Sequence, residues 1–180
     1  MKLSPLLVAV TVALSAPYAA AQDKSKLAEK DRHLFNNMAQ ADLAELEAGK
    51  VAAQKASNPE VKKFAQHMVD EHGKMVEEGK QLAQKKGLEA PKAADKKHQD
   101  ELKALQAKSG AEFDRDYLKH MLDAHNDAKG LVERIAKEGQ DPDLKAAAAK
   151  AAPHIQEHLA QARKLESSLG ASAGGTAKKK

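Results

Sequence analysis

The sequence contains no cysteine and no tryptophan, and it has only three phenylalanines and two tyrosines. Without cysteine the chain has no disulfide, no thiolate metal ligand and no cysteine for a lipid anchor. The shortage of aromatic side chains argues against a flavin or haem pocket, and it leaves few surfaces on which nucleic-acid bases could stack. A chain of 180 residues is nevertheless long enough for one domain with its own core.

The excess of basic residues is confined to the two ends of the chain. Thirty Lys and Arg oppose 26 Asp and Glu, and Lys2 together with Lys178–Lys180 accounts for the difference of four. A nucleic-acid-binding domain needs a basic face of its own, so the neutral remainder argues against that function. Residues 171–180 are small or basic and are expected to form a disordered tail. Its lysines can attract anionic lipid weakly.

Residues 1–21 have the pattern of a secretory signal peptide. A basic start precedes the mostly apolar stretch Pro5–Leu14, and Ala19–Ala21 offers small residues for cleavage. The apolar stretch is too short to span a membrane, and no other part of the sequence is apolar enough. The sequence therefore predicts a periplasmic or secreted protein without an integral membrane segment, whose domain covers residues 22–170.

The rest of the chain is rich in helix-forming residues and shows no strand alternation. Apolar residues recur at alternating spacings of three and four, which predicts four long helices and a short helix between the second and third of them. The predicted ranges are 31–57, 59–87, 93–108, 111–138 and 142–169. This pattern predicts an all-α fold, a ferritin-like antiparallel four-helix bundle. Pro153 is expected to kink or break the last helix.

Each apolar stripe of a long helix contains one polar residue that could bind a metal. These residues are Glu45, His72, His125 and His158. Glu45 lies 13 residues before Asn58 in the first turn and His72 lies 14 residues after it, so the two face each other across a hairpin. His125 and His158 are 16 and 17 residues from the corresponding position of the second turn. The two pairs differ in depth by about 4–5 Å, which predicts that all four side chains meet in one layer.

Polar groups in a helical core need partners, and imidazole with carboxylate suits zinc, iron, manganese or copper. We therefore interpret the four residues as the ligands of a single transition metal ion. Glu71, Tyr117 and Glu157 are expected to be hydrogen-bonding neighbours of these ligands. Methionines beside His72, including Met75, would add thioethers that suit copper(I), although methionine at this spacing also serves as core filler.

The residues leave two alternatives open. Hydrogen bonds between carboxylates and histidines can satisfy such a layer without a metal, as in a structural or stress-related envelope protein. The other alternative is a metal-dependent redox enzyme, which would need an open coordination position and a substrate channel. No catalytic residue is predicted, because no nucleophilic constellation stands out.

Three stretches carry a family resemblance: AELEAGKVAAQKASNPEVKKFAQHMVDEH at 44–72, GAEFDRDYLKHMLDAH at 110–125 and PHIQEHLAQARKL at 153–165. Together they resemble the exported bacterial family called domain of unknown function 4142. The resemblance covers about residues 31–169, and it implies a ferritin-like four-helix fold and export. It also implies that the four predicted ligands, with Asp114 and Tyr117, match signature positions of the family.

Two departures bear on the metal site. The family usually has aspartate where this chain has Glu71. Di-iron ferritin-like enzymes use Glu-x-x-His on two helices. This chain has Val69 and Ile155 where those glutamates would stand, so the sequence favours one metal ion, or none, over two.

Overall fold

The computed structural model describes residues 26–176, with side chains up to residue 170, and within this range all regular structure is helical. The helices are α1 (Glu29–Lys55), α2 (Pro59–Lys85), α3 (Lys96–Gln106), α4 (Gly110–Glu138) and α5 (Pro142–Thr176). The all-α prediction is confirmed. The predicted signal peptide and the terminal lysines lie outside the described residues, whereas α5 continues to Thr176, past the predicted domain end at Gly170.

Helices α1 and α2 pair as one hairpin, and α4 and α5 pair as another. The hairpins meet through α1 against α4 and through α2 against α5, and the short α3 packs on α1 and α4. Gly49 lets α1 approach α2 closely, because a Cβ there would lie 3.2 Å from Val69 and 3.3 Å from the carbonyl oxygen of Ala65. Every helix within residues 26–176 is too polar or too short for a membrane span.

Each hairpin turn begins its second helix in the same way. Asn58 accepts hydrogen bonds from the backbone of Glu60 and Val61, and Asp141 accepts them from Asp143 and Leu144. In both cases a proline follows the capping residue, where its missing N–H costs no helical hydrogen bond. The capping interpretation of both sequence motifs is confirmed.

A buried aspartate from the opposite hairpin holds each of these turns. Asp114 accepts from the backbone N–H groups of Ser57 and Asn58 and from the Ser57 hydroxyl. Asp31 accepts from the backbone of Gln140 and Asp141. Both carboxylates are 1% exposed or less, so the two hairpins are tied together through charged hydrogen bonds at both ends.

These ties reveal a repeat in the chain. Asp31 precedes Asn58 by 27 residues, and Asp114 precedes Asp141 by the same 27 residues. The second hairpin is therefore related to the first by a shift of 83 positions. This relation makes Asp42 the counterpart of His125, and Met75 the counterpart of His158.

Helix α5 passes through Pro153 without a break, so of the two expected alternatives, a kink or a break, the break is wrong. Proline removes one helical hydrogen bond and crowds the preceding turn, which costs about 3 kcal/mol. Tertiary packing offsets this cost, since Ala148 before the proline and Ile155 and Leu159 after it are buried in one apolar cluster.

Two large apolar clusters form most of the core of residues 26–170, with a polar layer between them, and Leu43, Ala44 and Ala94 form a small third cluster. One cluster lies toward the α1–α2 turn and includes Val61, Phe113 and Tyr117. The other lies toward the α4–α5 turn and includes Phe35 and Ile135. On each long helix the predicted ligand lies between residues of one cluster and residues of the other. All four ligands are therefore at the height of the polar layer.

Candidate metal centre

Three buried histidine rings form the centre of the polar layer. His72, His125 and His158 are each exposed by 2% or less. Their ring centroids are separated by 5.6 Å (His72–His125), 5.5 Å (His72–His158) and 5.0 Å (His125–His158). One nitrogen from each ring lies within 4.8 Å of the others, so three imidazoles from three helices converge.

Glu45 completes this group from the fourth long helix and is itself 2% exposed. Its Oε2 lies 3.0 Å from His72 Nε2, and its Oε1 lies 3.5 Å from His125 Nδ1. The structure thus brings together all four side chains that the stripe pattern singled out. The Glu45–His72 and His125–His158 pairs differ in depth by three residues, and this difference does not keep their side chains apart.

Hydrogen bonds define the tautomers of two of the histidines. His125 Nδ1 lies 2.9 Å from the carbonyl oxygen of Met121, one turn earlier in α4, and can only donate to it. In a neutral ring His125 Nε2 is then an acceptor, and it lies 3.0 Å from His158 Nδ1, which must donate. His158 Nε2 is left with a free lone pair in the interior.

Burial and the neighbouring charges set the ionisation of the layer. Burial opposes charge on Glu45, but His125 and His72 outweigh it and lower the pKa of Glu45 to about 2. Burial also opposes charge on His72, yet Glu45 and Asp42 raise the pKa of that ring to about 10. Burial, reinforced by the two other rings, lowers the pKa of His158 to about 3. At neutral pH the metal-free layer therefore holds a carboxylate, an imidazolium and a neutral imidazole.

The donor atoms of the layer are imidazole nitrogens and carboxylate oxygens, which transition metals bind. Glu45 Oε1, His72 Nε2 and His158 Nε2 are buried and have no hydrogen-bond partner among the described residues. His72 Nε2 lies 3.0 Å from Glu45 Oε2, and the two form an ion pair when the ring is protonated. Ligands of a tetrahedral ion with bonds of about 2.0–2.1 Å lie roughly 3.3 Å apart. Glu45 Oε2 and His72 Nε2 are 3.0 Å apart, and one nitrogen from each of the three rings lies within 4.8 Å of the others, so the layer can close on a metal ion.

The sequence did not single out Asp42, which is a fifth member of the layer. Its Oδ1 lies 3.2 Å from His72 Nδ1, and its side chain is 17% exposed. Burial raises the pKa of Asp42, while the hydrogen bond to His72 acts against that rise. Two signals pointed to it: Asp42 lies one helical turn before Glu45, and it is the repeat counterpart of His125.

The three residues that were predicted to hydrogen-bond to the ligands lie in different surroundings. Glu71 is half-buried, and its Oε2 lies 2.7 Å from Nδ1 of His154, beside the layer. Tyr117 is fully buried between Phe64 and Phe113, and its hydroxyl has no hydrogen-bond partner within residues 26–170. Glu157 is exposed and accepts a hydrogen bond from Gln161, because its place next to His158 turns it to the outer face of α5.

Two further histidines flank His158. The His67 ring packs edge-on against it at 5.4 Å, and the His154 ring lies 6.5 Å away, one turn earlier on α5. Both are partly buried.

Comparison with known proteins identifies the family. The sequence profile described as domain of unknown function, DUF4142, matches residues 16–165. The chain belongs to the DUF4142 family. The resemblance seen in the sequence is thereby confirmed, and no curated protein matches this DUF4142 chain.

Solved structures share the fold of the DUF4142 chain at low identity. A DUF305 fragment from Deinococcus radiodurans is 13% identical with a TM-score of 0.68, and the match covers 81% of this chain and 98% of the other. A DUF305 protein from Streptomyces coelicolor is 13% identical, with a TM-score of 0.67 and coverage of 78% and 92%. CopM in its Cu(I)-bound form is 19% identical, with a TM-score of 0.64 and coverage of 77% and 96%. These likenesses show the fold alone.

The metal-free DUF4142 chain is expected to be most stable near pH 6.5, the ordinary pKa of histidine. The folded pKa of His72 is raised, so its stabilising contribution is complete below about pH 6.5 and is lost as the pH rises toward 10. The folded pKa of His158 is lowered, so the unfolded chain takes up a proton that the folded state resists as the pH falls toward 3. Urea unfolding in chelator between pH 4.5 and 9 measures both slopes.

A His158→Leu variant should flatten the acid side of this profile, and the exposed His33→Leu variant should leave it unchanged. A free energy of unfolding that increases steadily from pH 6.5 to pH 9 would contradict the ionisation described for His72.

Proposed function

We propose that this protein binds a single first-row transition metal ion through Glu45, His72, His125 and His158. The observation that carries the proposal is the convergence of three buried histidines from three helices, one nitrogen of each within 4.8 Å of the others, beside the buried carboxylate of Glu45. Two atoms of the layer, Glu45 Oε1 and His158 Nε2, have no hydrogen-bond partner among the described residues. An unpaired buried polar group costs about 1–3 kcal/mol, and a metal ion would use both atoms.

Asp42 has a distinct role in this proposal. It accepts from His72 Nδ1 and so holds the ring with Nε2 directed at the cluster. A hydrogen bond of this kind also makes the other nitrogen a better ligand. His125 is held in the same manner by the carbonyl oxygen of Met121. The protein's part is therefore to present preoriented imidazole nitrogens in a buried layer, and a bound metal would supply Lewis acidity or redox chemistry there.

The donor set suits zinc, iron, manganese or copper. Copper has additional support, because Met38 and Met75 line a cavity that reaches the same histidines, and thioethers favour copper(I). The Cu(I)-bound state of CopM, which shares the fold, points in the same direction.

The finer architecture and the location belong to the same proposal. Four long helices, paired as two hairpins, support a ferritin-like four-helix bundle with α3 as an added element. The signal-peptide pattern of residues 1–21 supports export to the periplasm or beyond, and the name of the similar Streptomyces coelicolor protein suggests secretion. The N-terminal sequence of protein recovered from the periplasm tests the cleavage before Gln22.

Metal analysis of untagged protein tests the proposed function. Chelator-treated protein is incubated with Zn(II), Fe(II), Mn(II) or Cu(I) in separate samples, dialysed and assayed by mass spectrometry of the elements. We expect about one ion per chain for at least one metal. That metal should also raise the melting temperature, since saturation at 100 times the Kd stabilises the native state by about 2.7 kcal/mol.

Negligible retention of every metal, with an unchanged melting temperature, would overturn the proposal. That result would favour the metal-free structural layer, in which His72 is paired with Asp42 and Glu45 alone.

A further inference from the structure

A cavity of about 210 Å³ lies between the long helices, directly beside the polar layer. Apolar side chains from all four long helices form most of its wall, including Met38, Met75, Leu82, Val132 and Ile155. Glu45, His72 and His158 form its inner end. Charged side chains, among them Lys74, Glu78 and Lys150, surround its outer part.

Small residues keep this space open, and packing does not require them. Gly79 lies in the middle of α2, where glycine costs about 1 kcal/mol relative to alanine. No described heavy atom lies within 4 Å of a Cβ placed at Gly79, so a larger side chain would fit there. Ala147 and Ala151 on α5 line the same space. A core selected only for stability would fill it.

The inner end of the cavity has an unsatisfied hydrogen-bond acceptor. His158 is 1% exposed, and its Nδ1 donates to His125, so its Nε2 has a lone pair but no partner among residues 26–170. A hydroxyl group can donate to this nitrogen.

We propose that this cavity binds a small apolar molecule with a single hydroxyl group, such as a monocyclic phenol, and that the hydroxyl lies at His158 Nε2. The size is suitable, because an engineered cavity of about 150 Å³ lined by apolar side chains binds benzene. The apolar walls hold the ring, and His158 Nε2 selects the hydroxyl. Sites built around such a hydrogen bond discriminate strongly against analogues that lack the group.

The inference goes beyond the proposed function and concerns the metal-free protein, because a metal bound to His158 would compete with the hydroxyl for the same ring. Fluorine NMR of the chelator-treated full chain tests it with 4-fluorophenol and with fluorobenzene. We expect a Kd below about 1 mM for 4-fluorophenol, which corresponds to about −4 kcal/mol. Fluorobenzene should bind at least tenfold more weakly.

The variant Gly79→Leu fills the cavity and should abolish binding of both probes. It should keep the wild-type melting temperature and metal content, since leucine favours the helix and Gly79 is not a proposed ligand. The matched control Gly130→Leu makes the same change at an exposed position of α4 with open space around it, and it should bind both probes normally.

The outcomes separate the two proposals. Absent binding to wild type, or unchanged binding to Gly79→Leu, overturns the cavity proposal and leaves metal binding unaffected. Equal affinity for the two probes overturns the role of His158 in recognising a hydroxyl. If wild-type protein retains no metal but still binds 4-fluorophenol, the proposed function is overturned and the cavity proposal stands.

Discussion

The His158→Ala protein is expected to lose at least about 100-fold in metal affinity. Mutations that only reorient a metal ligand cost about 10–100-fold, and removal of a ligand should cost at least the upper end of that range. His158 is the ligand best suited to this test, because it is neutral in the folded protein and makes no ion pair with Glu45 or Asp42. Isothermal titration of the chelator-treated protein with the metal retained by wild type measures the loss.

His33→Ala is the matched control, since it removes an imidazole whose side chain is 78% exposed on α1. It should bind metal as wild type does. Circular dichroism should show that the His158→Ala protein remains helical. Wild-type affinity in a folded His158→Ala protein would show that the metal, if bound, lies elsewhere.

The Asp114→Ala protein is expected to lose about 3–5 kcal/mol of stability. The carboxylate accepts three hydrogen bonds from the α1–α2 turn, and hydrogen bonds to charged groups contribute about 1.5–3 kcal/mol each without being fully additive. Its removal also leaves the N–H groups of Ser57 and Asn58 unpaired where the turn meets α4. For a chain of this size the melting temperature should fall by roughly 10 °C or more.

Thermal unfolding of Asp114→Ala beside Asp123→Ala measures this effect. Asp123 is exposed and pairs with Lys119 on the same helix, so its removal should cost about 0.5 kcal/mol or less. Asp31→Ala should resemble Asp114→Ala, because Asp31 holds the other turn in the same way. If Asp114→Ala melted within a degree or two of Asp123→Ala, the tie between the hairpins would not stabilise the fold as described.

Much of the fold follows from local patterns in the sequence. The alternating spacing of apolar residues predicted the helices within a few residues at most ends, and the turn motifs marked where two of them begin. Distances counted from those turns predicted that Glu45 faces His72 and that His125 faces His158. Counting works because an antiparallel hairpin converts equal separation from its turn into equal height.

What the sequence did not reveal depends on contacts between hairpins. Asp42 pairs with His72 of the neighbouring helix, and the apolar stripe of its own helix does not single it out. The solvent-facing position of Glu157 depends on the rotation of α5 about its axis, which packing decides. The continuity of α5 at Pro153 similarly reflects tertiary burial on both sides of the proline.

The cavity could not be predicted from local sequence patterns either. Small residues on a helix indicate close packing as readily as open space, and only the placement of α2 relative to α5 distinguishes the two. Two glycines illustrate the difference. Gly49 on α1 makes a close contact with α2, whereas Gly79 on α2 borders the cavity.

Anomalous X-ray scattering from crystals of the metal-loaded, untagged protein tests the central claim most directly. The account predicts one strong peak per chain among His72, His125 and His158, at roughly 2.0–2.2 Å from their nearest nitrogens and from a Glu45 oxygen. A protein that retains metal but shows its peak only at exposed residues such as His33, or shows no ordered peak, would contradict it.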